Sequence, residues 1–211
     1  MKRIISWLVP REKRFFDMLA EQSGNVLGAA RELSAFIDDY PKLERSLRRE
    51  NALSIKKISE KTDELGSEML RKLNKSSAPD KEDLHEVALL LGEAAGLISD
   101  CALRFVILGI ERIDDYMPRL AYILRLSAEE LDKAMLDSKK PNSMKSHCER
   151  MRSLRNEAEE IYNKALSELF HFYKNSIDIM KYREVYELLR AAIKKCKATA
   201  EIVEGIAARH S

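Results

Sequence analysis

Apolar residues recur along most of this chain at spacings of three and four, the period of a helix that buries one stripe. The stretch SLRNEAEEIYNKALSELF, Ser153 to Phe170, is the clearest case, with Leu154, Ala158, Ile161, Ala165, Leu169 and Phe170 on or near one stripe. Alternation of the kind a half-buried strand needs is absent. Breakers divide the pattern into about six helices. The first runs from about Arg11 to Phe36 and stops before Tyr40-Pro41, because the residue preceding a proline is pushed out of the helical region. The second spans about Leu43 to Leu73. After the break NKSSAPD, Ser77 or Asp80 is placed to cap a third helix that continues to about Ile110. A fourth follows Pro118 and ends near Asp137, a fifth runs from about Met144 to Lys174, and a sixth from about Ile179 to Ala208. Six long antiparallel helices make a bundle.

The order of the helices is duplicated. IKKISEKTDELGSEMLRKL in the second and MRSLRNEAEEIYNKALSEL in the fifth share one phase, and the third and sixth helices follow each at a similar distance. The expectation is an all-α fold of two pseudo-symmetric three-helix bundles, about residues 1–106 and 107–211, forming a single domain.

Composition removes several function classes. The 37 basic and 35 acidic residues are mixed along the chain for a net charge of +2, which argues for solvated helix faces and against a nucleic-acid groove. Cys101, Cys148 and Cys196 are odd in number, far apart and without CxxC spacing, so they read as reduced core residues of a cytoplasmic protein rather than disulfides or a zinc site. Val87–Ile110 is long enough to cross a membrane, but Glu93, Asp100 and Arg104 make it a better central helix of a bundle. The N-terminal MKRIISWLVPREKRFF lacks a small-residue cleavage site and is interrupted by Pro10, so it is not a signal peptide. Its basic cluster, which includes Arg11, Lys13 and Arg14, is suited to peripheral contact with an anionic membrane surface, although such clusters are more often simply solvated. Without a nucleophile beside a base, a glycine-rich phosphate loop or a cofactor fingerprint, the chain reads as a non-enzyme without a cofactor.

Several segments together resemble the PhoU-like regulators of phosphate transport, in particular the short branch associated with inorganic phosphate permeases. These are VPREKRFFDMLAEQSGNV, APDKEDLHEVALLLGEAAGLISD, EAEEIYNKALSELF and KYREVYELLRAAIKKCKATAEIVEGI, in that order and spacing over nearly the whole chain. The resemblance implies a cytoplasmic, non-catalytic helical protein whose partner is an inorganic phosphate permease or related membrane transporter; a position peripheral to the inner face of the membrane rests on the basic N-terminus. The resemblance is compatible with a homo-oligomer.

That family carries a repeated E/D-x-x-x-D motif for metal ions, in which carboxylates four residues apart project from one helix face. Laid on this chain, the motif positions are Ser59 and Asp63 in the second helix, Gly92 and Gly96 in the third, Arg155 and Glu159 in the fifth, and Arg190 and Lys194 in the sixth. Of eight acids the resemblance implies, two remain, Asp63 and Glu159. The metal motifs therefore read as degenerate, with Glu159 expected to pair with Arg155, Arg190 or Lys194; the plainer alternative is a set of ordinary solvated charges. The two glycines read as room for close backbone approach or for a long neighbouring side chain.

A second metal reading rests on Glu82 with His85 and Glu168 with His171, which have the E-x-x-H spacing of ferritin-like di-metal bundles. It requires all four side chains to converge. His147 and His210 lack partners at a useful spacing and read as exposed. A general helical interaction scaffold is the blandest alternative. The preferred reading is a non-catalytic regulator or accessory protein of phosphate transport that binds a membrane transporter or its partner.

Overall fold

A computed structural model describes residues 10–137 and 141–210, with side chains from Arg14 and from Ser143 onward in the two segments. The basic N-terminal residues through Lys13, expected to suit a membrane surface, lie outside these described side chains. Six helices follow in order: α1 (Pro10–Asp39), α2 (Arg45–Asn74), α3 (Lys81–Ile107), α4 (Tyr116–Leu136), α5 (Pro141–Phe172) and α6 (Ser176–Arg209), with a short 3-10 turn at Tyr40–Lys42. Helices α1, α2 and α3 pack against one another, as do α4, α5 and α6; α3 against α6 and α1 against α4 join the two trios.

The ends of the helices have identifiable causes. Pro41 enforces the 3-10 turn after α1. Tyr40 in that turn is buried and its hydroxyl donates to the Phe105 carbonyl at 2.9 Å, while its ring meets Phe36 and Phe105 edge-on at centroid distances of 5.2 Å. Helix α3 stops short of the expected Ile110. Gly109 takes a φ of +59°, its N–H donates to the Val106 carbonyl and the N–H of Ile110 to that of Phe105, the pairing of a Schellman cap. Helix α4 begins two residues before Pro118, not after it, because the first turn needs no donor from proline. Asp114 caps it by accepting from the N–H groups of Tyr116 and Met117 at 2.9 and 3.0 Å. Asn175 does the same for α6 through the N–H of Ile177.

The third helix is a correction in its capping. Asp80 stands at the N-cap of α3 but makes no side-chain cap bond. Its carboxylate instead accepts from Arg209 at 3.0 Å and meets His210 at 2.5 Å, tying the start of α3 to the end of α6. His210 is thus partnered rather than exposed. The same correction applies to His147, whose Nδ1 lies 2.8 Å from Glu130 and whose side chain is only 16% exposed.

α3 is the most enclosed element. Leu84, Val87, Leu91, Ile98 and Phe105 are buried between α1, α2 and α6, and Ala88, Ala94, Ala95 and Ala102 let neighbouring backbones come close. This explains its membrane-like hydropathy; no described helix is long and apolar enough to cross a membrane. On α5 the expected stripe is buried through Leu154, Ala158, Ile161, Ala165 and Leu169, whereas Phe170 points to solvent. The three cysteines are free and buried, and burial pushes the thiols of Cys148 and Cys196 up to about 12, so they stay protonated.

Candidate functional site

The four second-half motif positions meet. Helices α5 and α6 run antiparallel, their register marked by hydrogen bonds from Tyr162 to Glu187, Arg190 to Glu159 and Cys148 to the Ala200 carbonyl. In this register Glu159 faces Arg190 and Arg155 faces Lys194. Nε of Arg190 lies 3.0 Å from both oxygens of Glu159, Nζ of Lys194 lies 3.0 Å from Oε1, and Nη2 of Arg155 approaches the same oxygen at 3.6 Å from one turn back. One carboxylate therefore carries three cations.

Burial pushes the Glu159 carboxyl up, but the hydrogen bonds and charges of Arg190 and Lys194 outweigh it, and the pKa falls below its ordinary value. The network continues past the motif. Arg190 also reaches Glu187 at 3.4 Å and lies over the Tyr162 ring with its guanidinium carbon 4.3 Å from the centroid. Tyr162 and Glu187 escaped the sequence reading, although they sit one turn beyond Glu159 and Arg190 in the same antiparallel register. A tyrosine and a glutamate that are far apart in sequence give no signal until the register is known.

In the first half, the same register places Asp63 of α2 against Gly92 of α3. A Cβ on Gly92 would stand 2.9 Å from Oδ1 of Asp63, so the glycine makes room for that carboxylate. Among the described residues Asp63 has no ion pair or hydrogen bond, and desolvation raises its pKa. Ser59 is buried, and a Cβ on Gly96 would touch nothing within 4 Å. The corresponding positions of the two halves thus differ in kind: one holds a lone carboxylate and the other a cation-rich knot.

The four side chains of the di-metal alternative do not converge. Among the described residues no three His, Cys, Asp or Glu side chains gather to hold a metal ion. Glu82 and His85 lie at the start of α3, beside the end of α6, while Glu168 and His171 close α5, beside the start of α6. The 34 residues of α6 put roughly 50 Å between those ends at 1.5 Å per residue. Glu168 accepts from the Tyr116 hydroxyl at 2.5 Å, and Nδ1 of His171 lies 2.7 Å from the Ser167 carbonyl.

Paired three-helix trios with facing motif positions can be compared with known proteins. Two solved structures superpose over almost the full length: a candidate PhoU-like phosphate regulatory protein from Shewanella oneidensis, with a TM-score of 0.75, 14% identity and coverage of 92% of this chain and 99% of the other, and PhoU from Pseudomonas aeruginosa, with a TM-score of 0.72, 13% identity and coverage of 95% and 98%. The chain has the PhoU-like fold. Two sequence relatives extend the likeness. The UPF0111 protein YkaA of Bacillus subtilis is 20% identical over 203 residues, covering 94% of this chain and 98% of its own. A candidate pit accessory protein of Rhizobium meliloti is 22% identical over 207 residues, covering 94% of each. No family model matches the chain. The PhoU-like resemblance carried by the order of the sequence motifs thus holds for the whole architecture.

Proposed function

We propose that this protein is a non-catalytic regulator or accessory protein of inorganic phosphate transport that acts by binding a membrane transporter, an inorganic phosphate permease or a related carrier, or that transporter's partner. The observation that carries this reading is the full-length match to a candidate pit accessory protein on a PhoU-like fold, with 94% of both chains aligned. Charge supports it: balanced faces of both signs suit a protein partner better than a nucleic acid. The protein works at the cytoplasmic face without a catalytic centre, and its two trios, about 1–106 and 107–211, are copies of one unit.

The family's metal centre has been given up in this chain. Arg190 and Lys194, each 3.0 Å from Glu159, occupy positions where a cation would need carboxylates, and they repel it. Deleting the gene and measuring uptake of radiolabelled phosphate tests the regulatory reading, and affinity capture of the protein with detergent-solubilised membranes tests the partner. A changed uptake rate together with recovery of a phosphate permease supports the proposal; unchanged uptake with no permease recovered overturns it.

A further inference from the structure

The α5–α6 face holds a groove of about 490 Å³ whose lining includes Arg152, Arg155, Lys194 and Lys197 with a single carboxylate, Glu201. We propose that this groove is a binding site for a multivalent phosphoryl anion, inorganic phosphate or a condensed phosphate. The inference rests on the groove alone and is independent of the transporter reading.

The cations form a frame. Arg152 and Arg155 are three residues apart on α5, and Lys194 and Lys197 three apart on α6, so each pair spans roughly 4.5 Å along its helix at 1.5 Å per residue. The register sets Arg155 across from Lys194 and Arg152 across from Lys197, with packed helix axes about 8–10 Å apart. Two guanidiniums supply planar forks for oxygen pairs, and two ammoniums supply compact point charges. Carboxylates occupy the ends of the frame. Glu159 at one end takes Lys194 and Arg155; at the other, Glu201 takes Lys197 at 2.6 Å and Arg152 at 3.7 Å, and Glu204 takes Arg152 at 3.3 Å.

These pairs do not close the site. The four cations are between 31% and 48% exposed, where ion pairs gain little over solvation and can be exchanged for a ligand's oxygens at small cost. With Arg190 held by Glu159 and Glu187, four cations face three shared carboxylates, and the middle of the frame has none. A ligand with two or more negative charges can engage all four corners at once, which a single carboxylate cannot. Asn156, which lines the same groove and accepts from Arg155 at 3.2 Å, adds an amide donor for a further oxygen.

Titration calorimetry on the full chain at matched ionic strength, with inorganic phosphate, pyrophosphate and tripolyphosphate, tests the site. The expected result is saturable binding of one ligand per chain. Tightest binding by the condensed phosphates identifies a polyanion site, and comparable binding of all three identifies a phosphate site. The double variants Arg155→Gln/Lys194→Gln and Arg152→Gln/Lys197→Gln each weaken binding by about tenfold or more, as loss of charge-assisted hydrogen bonds implies. Lys57→Gln/Lys61→Gln on the exposed face of α2 leaves it unchanged. Thermal unfolding with and without ligand reports on the same variants, whose exposed or half-buried positions lie outside the buried core. Absence of binding for all three anions, or equal binding by wild type and both groove variants, overturns the proposal.

Discussion

Replacing Arg155 and Arg190 by Glu and Lys194 by Asp converts the knot around Glu159 into four carboxylates and tests whether these positions form one metal-competent face. The wild-type geometry sets the size of the effect. The variant loses a two-point Arg190 contact at 3.0 Å and a Lys194 contact at 3.0 Å, and both partners are 26% to 39% exposed. Charge-assisted bonds contribute about 1.5–3 kcal/mol when enclosed, and solvent screening reduces the pair here to about 1–2 kcal/mol in all. The new like charges repel. At about 6 Å and, for these part-exposed groups, an effective dielectric constant near that of water (~80), each of the close pairs around the patch costs about 0.7 kcal/mol, or about 3 kcal/mol together. The variant should therefore unfold about 3–5 kcal/mol more easily, which at about 2–4 °C per kcal/mol for a chain of this size lowers its melting temperature by about 10 °C, within a factor of two. A divalent cation at 100 times its Kd stabilises the folded state by about 2.7 kcal/mol and recovers half or more of the loss. The assay is thermal unfolding in chelator and then with manganese or calcium, wild type alongside. A folded variant whose melting temperature ignores added metal refutes the idea that the two faces converge on one centre.

Other expectations follow from the same geometry. Protein purified without chelator should carry less than one equivalent of iron, manganese or zinc by elemental analysis; stoichiometric metal would mean that the motif positions coordinate after all. Gly66→Ala should destabilise by about 1–3 kcal/mol, because its Cβ would stand 2.8 Å from Nε2 of Gln22, a fully buried side chain that donates to the Thr62 carbonyl. Gly92→Ala should leave the melting temperature unchanged or higher, since Asp63 swings into solvent and the helix gains up to about 1 kcal/mol of propensity; urea unfolding that ranks the two glycines the other way defeats the argument. The depressed pKa of Glu159 means that its contribution is fully present above its ordinary value of 4.5 and is lost as pH falls through the folded value. The stability advantage of wild type over Glu159→Gln should accordingly be flat near neutrality and shrink below pH 4.5, and a difference that grows on acidification contradicts the assignment. In an experimental structure, α1–α3 should superpose on α4–α6; helix axes that fail to coincide would remove the duplication.

Much of the fold was legible because helix periodicity is a local property. The stripe on α5 and the proline at Pro41 announce their elements without tertiary information. Boundaries were less legible where long-range contacts decide them. Asp80 looks like an N-cap in sequence, but Arg209 and His210, more than 120 residues later, take its carboxylate. His147 looks solitary until the packing of α5 against α4 brings Glu130 to it. Phe170 fits the apolar stripe by spacing, yet it is exposed near the end of α5 while Leu169 beside it is buried. For the candidate site, the sign of each residue was readable and the pairing was not. Arg155 and Glu159 are neighbours by helix geometry alone, whereas Arg190 and Lys194 join them only through the register of α6.

The two halves depart from a metal-binding pattern by different physical routes, and the difference bears on what each can regain. In the first half the oxygens are missing: Asp63 faces a glycine, its pKa raised by desolvation with no cation to offset it. Restoring an acid at Gly92 would add both the ligand and a side chain where a Cβ alone already approaches Asp63 at 2.9 Å. The carboxylate must move before the second one can coordinate. In the second half, space is not the obstacle, since Arg190 and Lys194 already fill it with long side chains that reach Glu159. There the obstacle is charge, and charge can be reversed without repacking the core because Glu159, Arg190 and Lys194 lie at the rim of the α5–α6 seam. The adjoining groove, lined by Arg152, Arg155, Lys194 and Lys197, shares Arg155 and Lys194 with the knot, so the proposed metal loss and the proposed anion site would have a common origin in the sign of these side chains.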